Sequence, residues 1–217
     1  ADVERLVPNP EKREKRKLIK GLKRELEKLK NDYGDKAFQN DPKFAASLAR
    51  SASVDLLLYW YGFDFSQSRI NKAKSKIDKA TLIKADDPQV LRATGTYYYY
   101  GYRDYSNALI YYNKALELEP GNSAHTKSIG YIYRRQGKIK ESLANHQRAM
   151  ELEPNDPSLF FQISLTYHHA REYNDAEEMI DRALQLVPDN QINLQRKFWY
   201  QFYKHRDLNE LITELYD

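Results

Sequence analysis

The chain carries Ala115-Leu-Glu-Leu-Glu-Pro120 and repeats this stretch as Ala149-Met-Glu-Leu-Glu-Pro154 and Ala183-Leu-Gln-Leu-Val-Pro188. The three prolines stand 34 residues apart. A fixed period of this length is typical of antiparallel helix pairs that stack one on the next. The sequence therefore predicts an all-α fold that is built from such pairs.

Small residues recur at fixed places within this period. If each proline is counted as position 32, position 27 is alanine in all three repeats, and position 20 is Ala108, Ser142 and Ala176. Small side chains let two helices approach closely, while large ones such as Tyr99 fill the space between them. We therefore expect the small residues to be buried where helices cross.

Position 8 shows an irregularity in the first repeat. Gly130 occupies this position in its own repeat, whereas Gly95 lies one residue away from it. One additional residue between Gly95 and the end of its helix would account for the offset. The sequence therefore predicts a one-residue bulge near Gly101.

Prolines and aspartates mark the helix boundaries. A proline cannot continue a helix, so each repeat ends at its proline. The pairs Asp87-Pro88 and Asp156-Pro157 predict helix starts, with aspartate as the N-cap and proline in the first turn. The predicted helix pairs are 42–61 with 67–84, 89–101 with 105–118, 123–136 with 138–152, and 157–170 with 172–186, followed by helices at 192–204 and 208–216.

The repeats indicate how the chain is organised. We expect residues 1–40 to form a basic linker or capping helix and residues 41–217 to form the repeat array. The expected divisions of the array are a divergent unit 41–87, units 88–122, 123–156 and 157–190, and a C-terminal capping unit 191–217. Terminal units are expected to be atypical because they close the array.

The N-terminal segment 10–30 is strongly basic. It holds ten Lys or Arg and four Glu, while the whole chain has a net charge of +4. Leu18, Leu22, Leu26 and Leu29 fall on one side of the predicted helix. We favour docking of these leucines on the first repeat. A short coiled coil between two subunits and contact with an anionic membrane surface are the alternatives.

The composition excludes several kinds of chemistry. The chain has no cysteine, which excludes disulfides, thiol catalysis and cysteine-ligated metals. No apolar run approaches the ~18–20 residues that span a bilayer. Because the first residue is Ala1 rather than Met, we expect a fragment of a longer protein. The compartment stays open, with the cytoplasm slightly favoured.

No catalytic or metal-binding pattern is present. The chain lacks Gly-x-Ser-x-Gly, His-Glu-x-x-His and the phosphate-binding loop. Its five histidines are interpreted as groove or surface residues, because adjacent side chains such as His168 and His169 diverge by about 100° on a helix. We expect no enzyme activity, no cofactor and no metal.

The sequence also carries a resemblance to a known family. Tyr97-Tyr-Tyr-Tyr-Gly-Tyr-Arg-Asp-Tyr-Ser-Asn-Ala108 and Gly130-Tyr-Ile-Tyr-Arg-Arg-Gln-Gly137 resemble tetratricopeptide repeat (TPR) proteins, and the resemblance covers about residues 42–204. It implies a right-handed α-α superhelix that binds a protein or peptide. Asp41-Pro-Lys-Phe-Ala45 and Tyr59-Trp-Tyr-Gly-Phe63 are similar to arrays that follow effector domains in bacterial adenylate cyclases, serine/threonine kinases and winged-helix regulators.

The same resemblance implies which residues line a concave groove, since the first helix of each repeat faces it. These residues are Lys127, Tyr131, Arg134, Arg135, Phe161, Leu165, His168, His169, Trp199, Phe202 and Tyr203, with Arg196 beside them and with Tyr97 and Tyr100 extending the surface. The chaperone-tail clamp of this family needs an asparagine, but Tyr131 and Leu165 stand in its place.

Cations interleaved with aromatic residues suit an acidic peptide that carries an apolar or aromatic anchor. We expect a non-catalytic protein-interaction scaffold within a larger bacterial signalling protein. Self-assembly into a homo-oligomer, or regulation of a catalytic domain outside this sequence, are the alternatives. A stacking platform for nucleic acid is not expected, because Tyr99 falls in a core position.

Overall fold

The computed structural model describes residues 42–205 and, ahead of them, the single helical position Arg24. The rest of the predicted basic helix, with its four leucines, lies outside the described residues. The predicted last helix at 208–216 lies outside them as well.

The described residues form an all-α fold without strands, which confirms the predicted fold class. The chain divides into two compact units, Ala1–Gly121 and Asn122–Asp217. Unit 1 contains α1 (Pro42–Trp60), α2 (Gln67–Ile83), α3 (Pro88–Thr96), a π-helical segment (Tyr97–Gly101) and α4 (Tyr105–Leu118). Unit 2 contains α5 (Ser123–Arg135), α6 (Ile139–Leu152), α7 (Pro157–Ala170), α8 (Tyr173–Leu186) and α9 (Gln191–His205).

Caps place the helix starts where the sequence predicts them. The Asp87 carboxylate accepts a 2.9 Å hydrogen bond from the backbone N–H of Gln89, and Asp156 accepts one of 2.9 Å from Ser158. Each aspartate precedes a proline in the first helical turn. Such a cap typically contributes ~1 kcal/mol to helix stability. The observed helix ends agree with the predicted ones to within about one residue.

Small residues lie at the crossings of paired helices, as predicted. The side chains at positions 20 and 27 are fully buried: Ala108, Ser142, Ala176, Ala115, Ala149 and Ala183. At position 8, a β-carbon on Gly130 would lie 2.6 Å from Nε2 of His146. The hydroxyl of Ser142 donates a 2.8 Å hydrogen bond to the carbonyl oxygen of Gly130, which joins α5 to α6 directly.

The π-helical segment confirms the predicted bulge in the first repeat. A β-carbon on Gly95 would lie 2.8 Å from the ring of Tyr112. Gly95 therefore packs against Tyr112 in the first repeat as Gly130 packs against His146 in the second. Gly95 nevertheless lies one residue further from its proline than Gly130 does. The wider π turn at Tyr97–Gly101 accommodates the extra residue.

A buried carboxylate joins α1 to α2. Asp55 is almost fully buried. It accepts hydrogen bonds from Nη1 of Arg69 at 2.6 Å and from Nζ of Lys76 at 2.5 Å. A buried charge of this kind is tolerated because its partners satisfy it, and removal of one partner would be costly.

We expect Gly130→Ala to lower the melting temperature by several degrees. Alanine is the better helix former, but its β-carbon would collide with His146, and overpacking typically costs ~1–3 kcal/mol. Thermal unfolding followed by circular dichroism measures the change. Gly121→Ala is the control, because a β-carbon there meets nothing within 4 Å. An unchanged or higher melting temperature for Gly130→Ala would contradict the assignment of this crossing.

Candidate functional site

The first helices of the repeats in unit 2 lie side by side. A hydrogen bond of 2.7 Å joins Arg134 on α5 to the carbonyl oxygen of Gln162 on α7, and the hydroxyls of Ser164 on α7 and Tyr200 on α9 are 3.1 Å apart. The surface that these helices share is named the α5–α7–α9 face. It consists of the predicted groove residues Lys127, Tyr131, Arg134, Arg135, Phe161, Leu165, His168, His169, Arg196, Trp199, Phe202 and Tyr203.

Arg134 is a structural link within this face. Its side chain is only 8% exposed, and its second guanidinium nitrogen donates to Oε1 of Gln162 at 2.9 Å. The guanidinium carbon also lies 5.6 Å from the centre of the Tyr131 ring. Both hydrogen bonds to Gln162 end on neutral oxygen atoms. They therefore fix the position of the guanidinium relative to α7.

Lys127 is in a different electrostatic situation. Its ammonium donates to Oε2 of Glu153 at 2.8 Å and to Oδ2 of Asp156 at 3.0 Å. Partial burial would lower the pKa of Lys127, but the hydrogen bonds to the two carboxylates outweigh burial and raise the pKa. Two carboxylates thus offset this charge, and Lys127 contributes little attraction for an anionic partner.

The remaining cations surround the two histidines. Arg135 is exposed, and the guanidinium of Arg196 lies 6.0 Å from the centre of the Phe161 ring. Partial burial lowers the pKa of His168, and the charge of Arg196 lowers it further. Partial burial also lowers the pKa of His169, together with the charges of Arg134 and Arg135. The charges of three arginines therefore act on these two histidines.

Aromatic rings form a contiguous patch on α7 and α9. His168 lies 5.5 Å from the ring centre of Tyr200 and 5.5 Å from that of Tyr203. Phe202 contacts Trp199 edge-on at 5.8 Å. Trp199 and Tyr203 are each 40% exposed, so both present a large ring to solvent. Phe161 and Leu165 are half-buried beside them on α7.

Two other histidines do not lie where the sequence placed them. His125 and His146 were expected in a groove or on the surface, but both are fully buried. Burial lowers the pKa of His146 to about 3, and the charge of Arg134 adds to this effect. The interpretation as surface residues was wrong because it rested on the polarity of histidine. The place of a residue in the repeat, rather than its polarity, decides whether its side chain is packed.

Tyr97 and Tyr100 belong to unit 1. Both are partly buried against the apolar cluster of α1, α2 and α3. The ring of Tyr100 stacks on that of Trp60 at 4.6 Å, and the Tyr97 hydroxyl donates to that of Tyr102 at 3.1 Å. Tyr99 is buried, which confirms its predicted core position.

Sequence reasoning missed three residues that shape the face. Gln162 accepts the hydrogen bonds of Arg134. Tyr200 is fully buried, and its hydroxyl is hydrogen-bonded to that of Ser164. Tyr173 stacks on Tyr203 at 5.4 Å. Of these three residues, the repeat period could have indicated Tyr200. It lies at the position of a first helix that packs against the preceding repeat.

Two further properties concern the described part of the chain alone. It contains no cluster of three or more His, Asp or Glu residues that could bind a metal ion. None of its helices combines the length and the apolar character that a membrane span requires.

Comparison with protein families agrees with this geometry. Residues 130–169 match a family model described as TPR repeat, and residues 97–122 match one described as tetratricopeptide repeat. These matches support the TPR family. No curated protein matches the chain in sequence.

Several solved structures share the TPR fold. TTC0263, a thermophilic TPR protein of Thermus thermophilus, is 16% identical, with 90% of this chain and 97% of that chain covered and a TM-score of 0.66. YrrB, described as a TPR protein with an unusual peptide-binding site, is 22% identical over 83% and 86%, with a TM-score of 0.55. PilF of Pseudomonas aeruginosa is 21% identical over 77% and 72%, with a TM-score of 0.57. At these identities the likeness concerns the fold alone.

We expect Arg135→Gln to raise the pKa of His169, because one of the charges that lower this pKa is removed. Arg196→Gln should instead raise mainly the pKa of His168. Titration of the ring protons by NMR measures both values, and each variant is the control for the other. Equal shifts at both histidines in both variants would contradict this assignment of charges.

A second prediction concerns acid stability. His146 stays neutral in the folded chain down to about pH 3, whereas in the unfolded chain it binds a proton below its ordinary pKa of 6.5. The free energy of unfolding should therefore fall by up to ~1.4 kcal/mol per pH unit as the pH drops through this range. His146→Ile should lack this component, since Ile180 fills the same position in the next repeat. Urea unfolding at several pH values measures the difference, and parallel profiles would contradict it.

Proposed function

We propose that the chain is a non-catalytic protein-interaction scaffold, and that its α5–α7–α9 face binds an acidic peptide segment with an aromatic or apolar anchor. One observation carries this proposal. Arg134, which is hydrogen-bonded to Gln162, lies on this face together with Arg135 and Arg196, and the same face carries the exposed rings of Trp199 and Tyr203. The TPR fold supports a role in interaction but does not specify the ligand.

The two kinds of side chain would serve different parts of recognition. Exposed Trp and Tyr rings, with arginine, are the residue types that contribute most to binding energy at interfaces. The guanidinium groups would accelerate the encounter and orient the peptide. Because Glu153 and Asp156 neutralise Lys127, we place the peptide toward the α7–α9 end of the face.

We also propose that the chain is the interaction region of a larger bacterial signalling protein. Support comes from Asp41–Ala45 and Tyr59–Phe63, which resemble arrays that follow effector domains. Tyr59 and Trp60 end α1 within this second stretch. The open reading frame that encodes the chain tests this part of the proposal, and a frame without an effector domain would contradict it.

The peptide proposal is tested by selection from a random peptide library on the immobilised chain. We expect enriched peptides to carry an aromatic residue flanked by Asp or Glu. Affinities are then measured by calorimetry at about 50 mM and about 500 mM salt, because screening shortens the reach of surface charges. Arg135→Glu should weaken binding about tenfold at low salt and much less at high salt. Trp199→Ala should weaken it at both salt concentrations.

Arg182→Glu on α8 is the matched control, because it makes the same charge change at an exposed position outside the face. It should leave the affinity close to that of the parent chain. Peptides without acidic residues, or equal effects of Arg135→Glu and Arg182→Glu, would contradict the proposal. A mass that rises with concentration in light scattering would instead favour self-assembly.

A further inference from the structure

Each turn between paired helices contains one position whose backbone conformation suits glycine best. These residues have a positive φ: Gly62 at 75°, Arg103 at 55°, Gly137 at 74° and Arg171 at 63°. Glycine adopts this left-handed conformation freely, whereas other side chains are disfavoured there. The backbone therefore does not explain why an arginine stands at position 103.

Contacts among the described residues do not explain Arg103 either. Its side chain is exposed, and its guanidinium makes no hydrogen bond or ion pair with the described residues. When no contact compensates for an unfavourable backbone conformation, the residue is a candidate for contact with a ligand. The π-helical segment immediately before it is a second irregularity of the kind found at functional sites.

A cavity of about 330 Å³ lies beside this arginine in unit 1. It is named the Arg103 pocket, and the described residues that line it are Tyr59, Trp60, Phe65, Tyr100, Gly101, Tyr102 and Arg103. Its volume is at the small end of ligand pockets, and it suits one aromatic side chain better than a larger ligand. Apart from the tyrosines, Arg103 is the one ionisable group among these lining residues.

The aromatic walls of the pocket are held in place. Trp60 stacks on Tyr100 with ring centres 4.6 Å apart and planes 19° apart. Phe65 is 71% exposed, yet its ring contacts Tyr59 edge-on at 5.8 Å. It also packs on Gly62, where a β-carbon would lie 2.8 Å from the Phe65 ring. Rings that are fixed before binding lose little conformational entropy when a ligand docks.

We propose that the Arg103 pocket binds a peptide segment in which an aromatic side chain adjoins a carboxylate. The aromatic side chain would enter between Trp60, Tyr100 and Phe65, and the carboxylate would pair with the guanidinium of Arg103. The positive charge disfavours a cationic occupant, although aromatic walls alone would suit one. The exposed rim at Phe65 and Tyr102 allows the occupant to continue as a chain. This site lies in unit 1 and does not depend on the α5–α7–α9 face.

The first experiment titrates the whole chain with the blocked dipeptide acetyl-Glu-Phe-amide. The chain has only two tryptophans, so proton–nitrogen NMR resolves two indole N–H signals, and Trp199→Phe assigns that of Trp60. We expect the Trp60 signal to shift in a saturable way, with a dissociation constant on the order of 1 mM. Acetyl-Gln-Phe-amide, which lacks the charge, should bind about tenfold more weakly.

The second experiment separates binding from folding. Arg103→Gly and Arg171→Gly both place glycine at a positive φ, so both should keep or raise the melting temperature. Arg103→Gly should weaken binding of acetyl-Glu-Phe-amide about tenfold, whereas Arg171→Gly should leave it unchanged. No shift of the Trp60 signal, equal binding of the Glu and Gln peptides, or equal affinities of the two glycine variants would each overturn the proposal. None of these outcomes bears on the α5–α7–α9 face, which lies in unit 2. Trp199→Phe should therefore leave binding of the dipeptide at the Arg103 pocket unchanged.

Discussion

The close approach of paired helices is the constraint on which the rest of the structure depends. At Gly95 and at Gly130, even one additional carbon would collide with the partner helix. Contact this close fixes the separation of the two helices in a pair, and the side chains that the glycines meet, Tyr112 and His146, are buried. Because interiors are packed at crystal-like density, the first helices have little freedom to shift. In unit 2 they can therefore hold Arg134 against Gln162 and Tyr200 against Ser164 at hydrogen-bond distance.

Much of this framework could be predicted from the sequence, because it follows from steric rules that depend on spacing. Prolines at intervals of 34 residues end the helices, and small residues at fixed positions mark the crossings. Even the π-helical segment was foreseeable, since the offset of Gly95 requires an extra residue. By contrast, spacing did not reveal that His146 is neutral. A period indicates a packed position, and the protonation of its side chain depends on neighbours that only the fold assembles.

The candidate site was predictable to a smaller extent, for a related physical reason. Family resemblance gave its residues, but their electrostatic state depends on which atoms meet across helices. Lys127 and Arg134 are both basic residues of one helix, yet carboxylates neutralise the first and a neutral amide holds the second. Guanidinium groups stay protonated, and the lowered pKa values of His168 and His169 keep these rings neutral near pH 7. The two histidines therefore add little positive charge to this face at neutral pH.

The π-helical segment also bears on how such a chain tolerates insertions and deletions. Length changes in proteins are usually confined to loops, because an extra residue within a helix rotates everything that follows it. Here the additional residue lies in a run of four tyrosines, and α4 still pairs with α3 beyond it. Loss of any one of these tyrosines would yield the same sequence and would restore the spacing between glycine and proline seen in the second repeat. The repeat length of this chain can thus drift by one residue inside a helix without a change in the pairing of its helices.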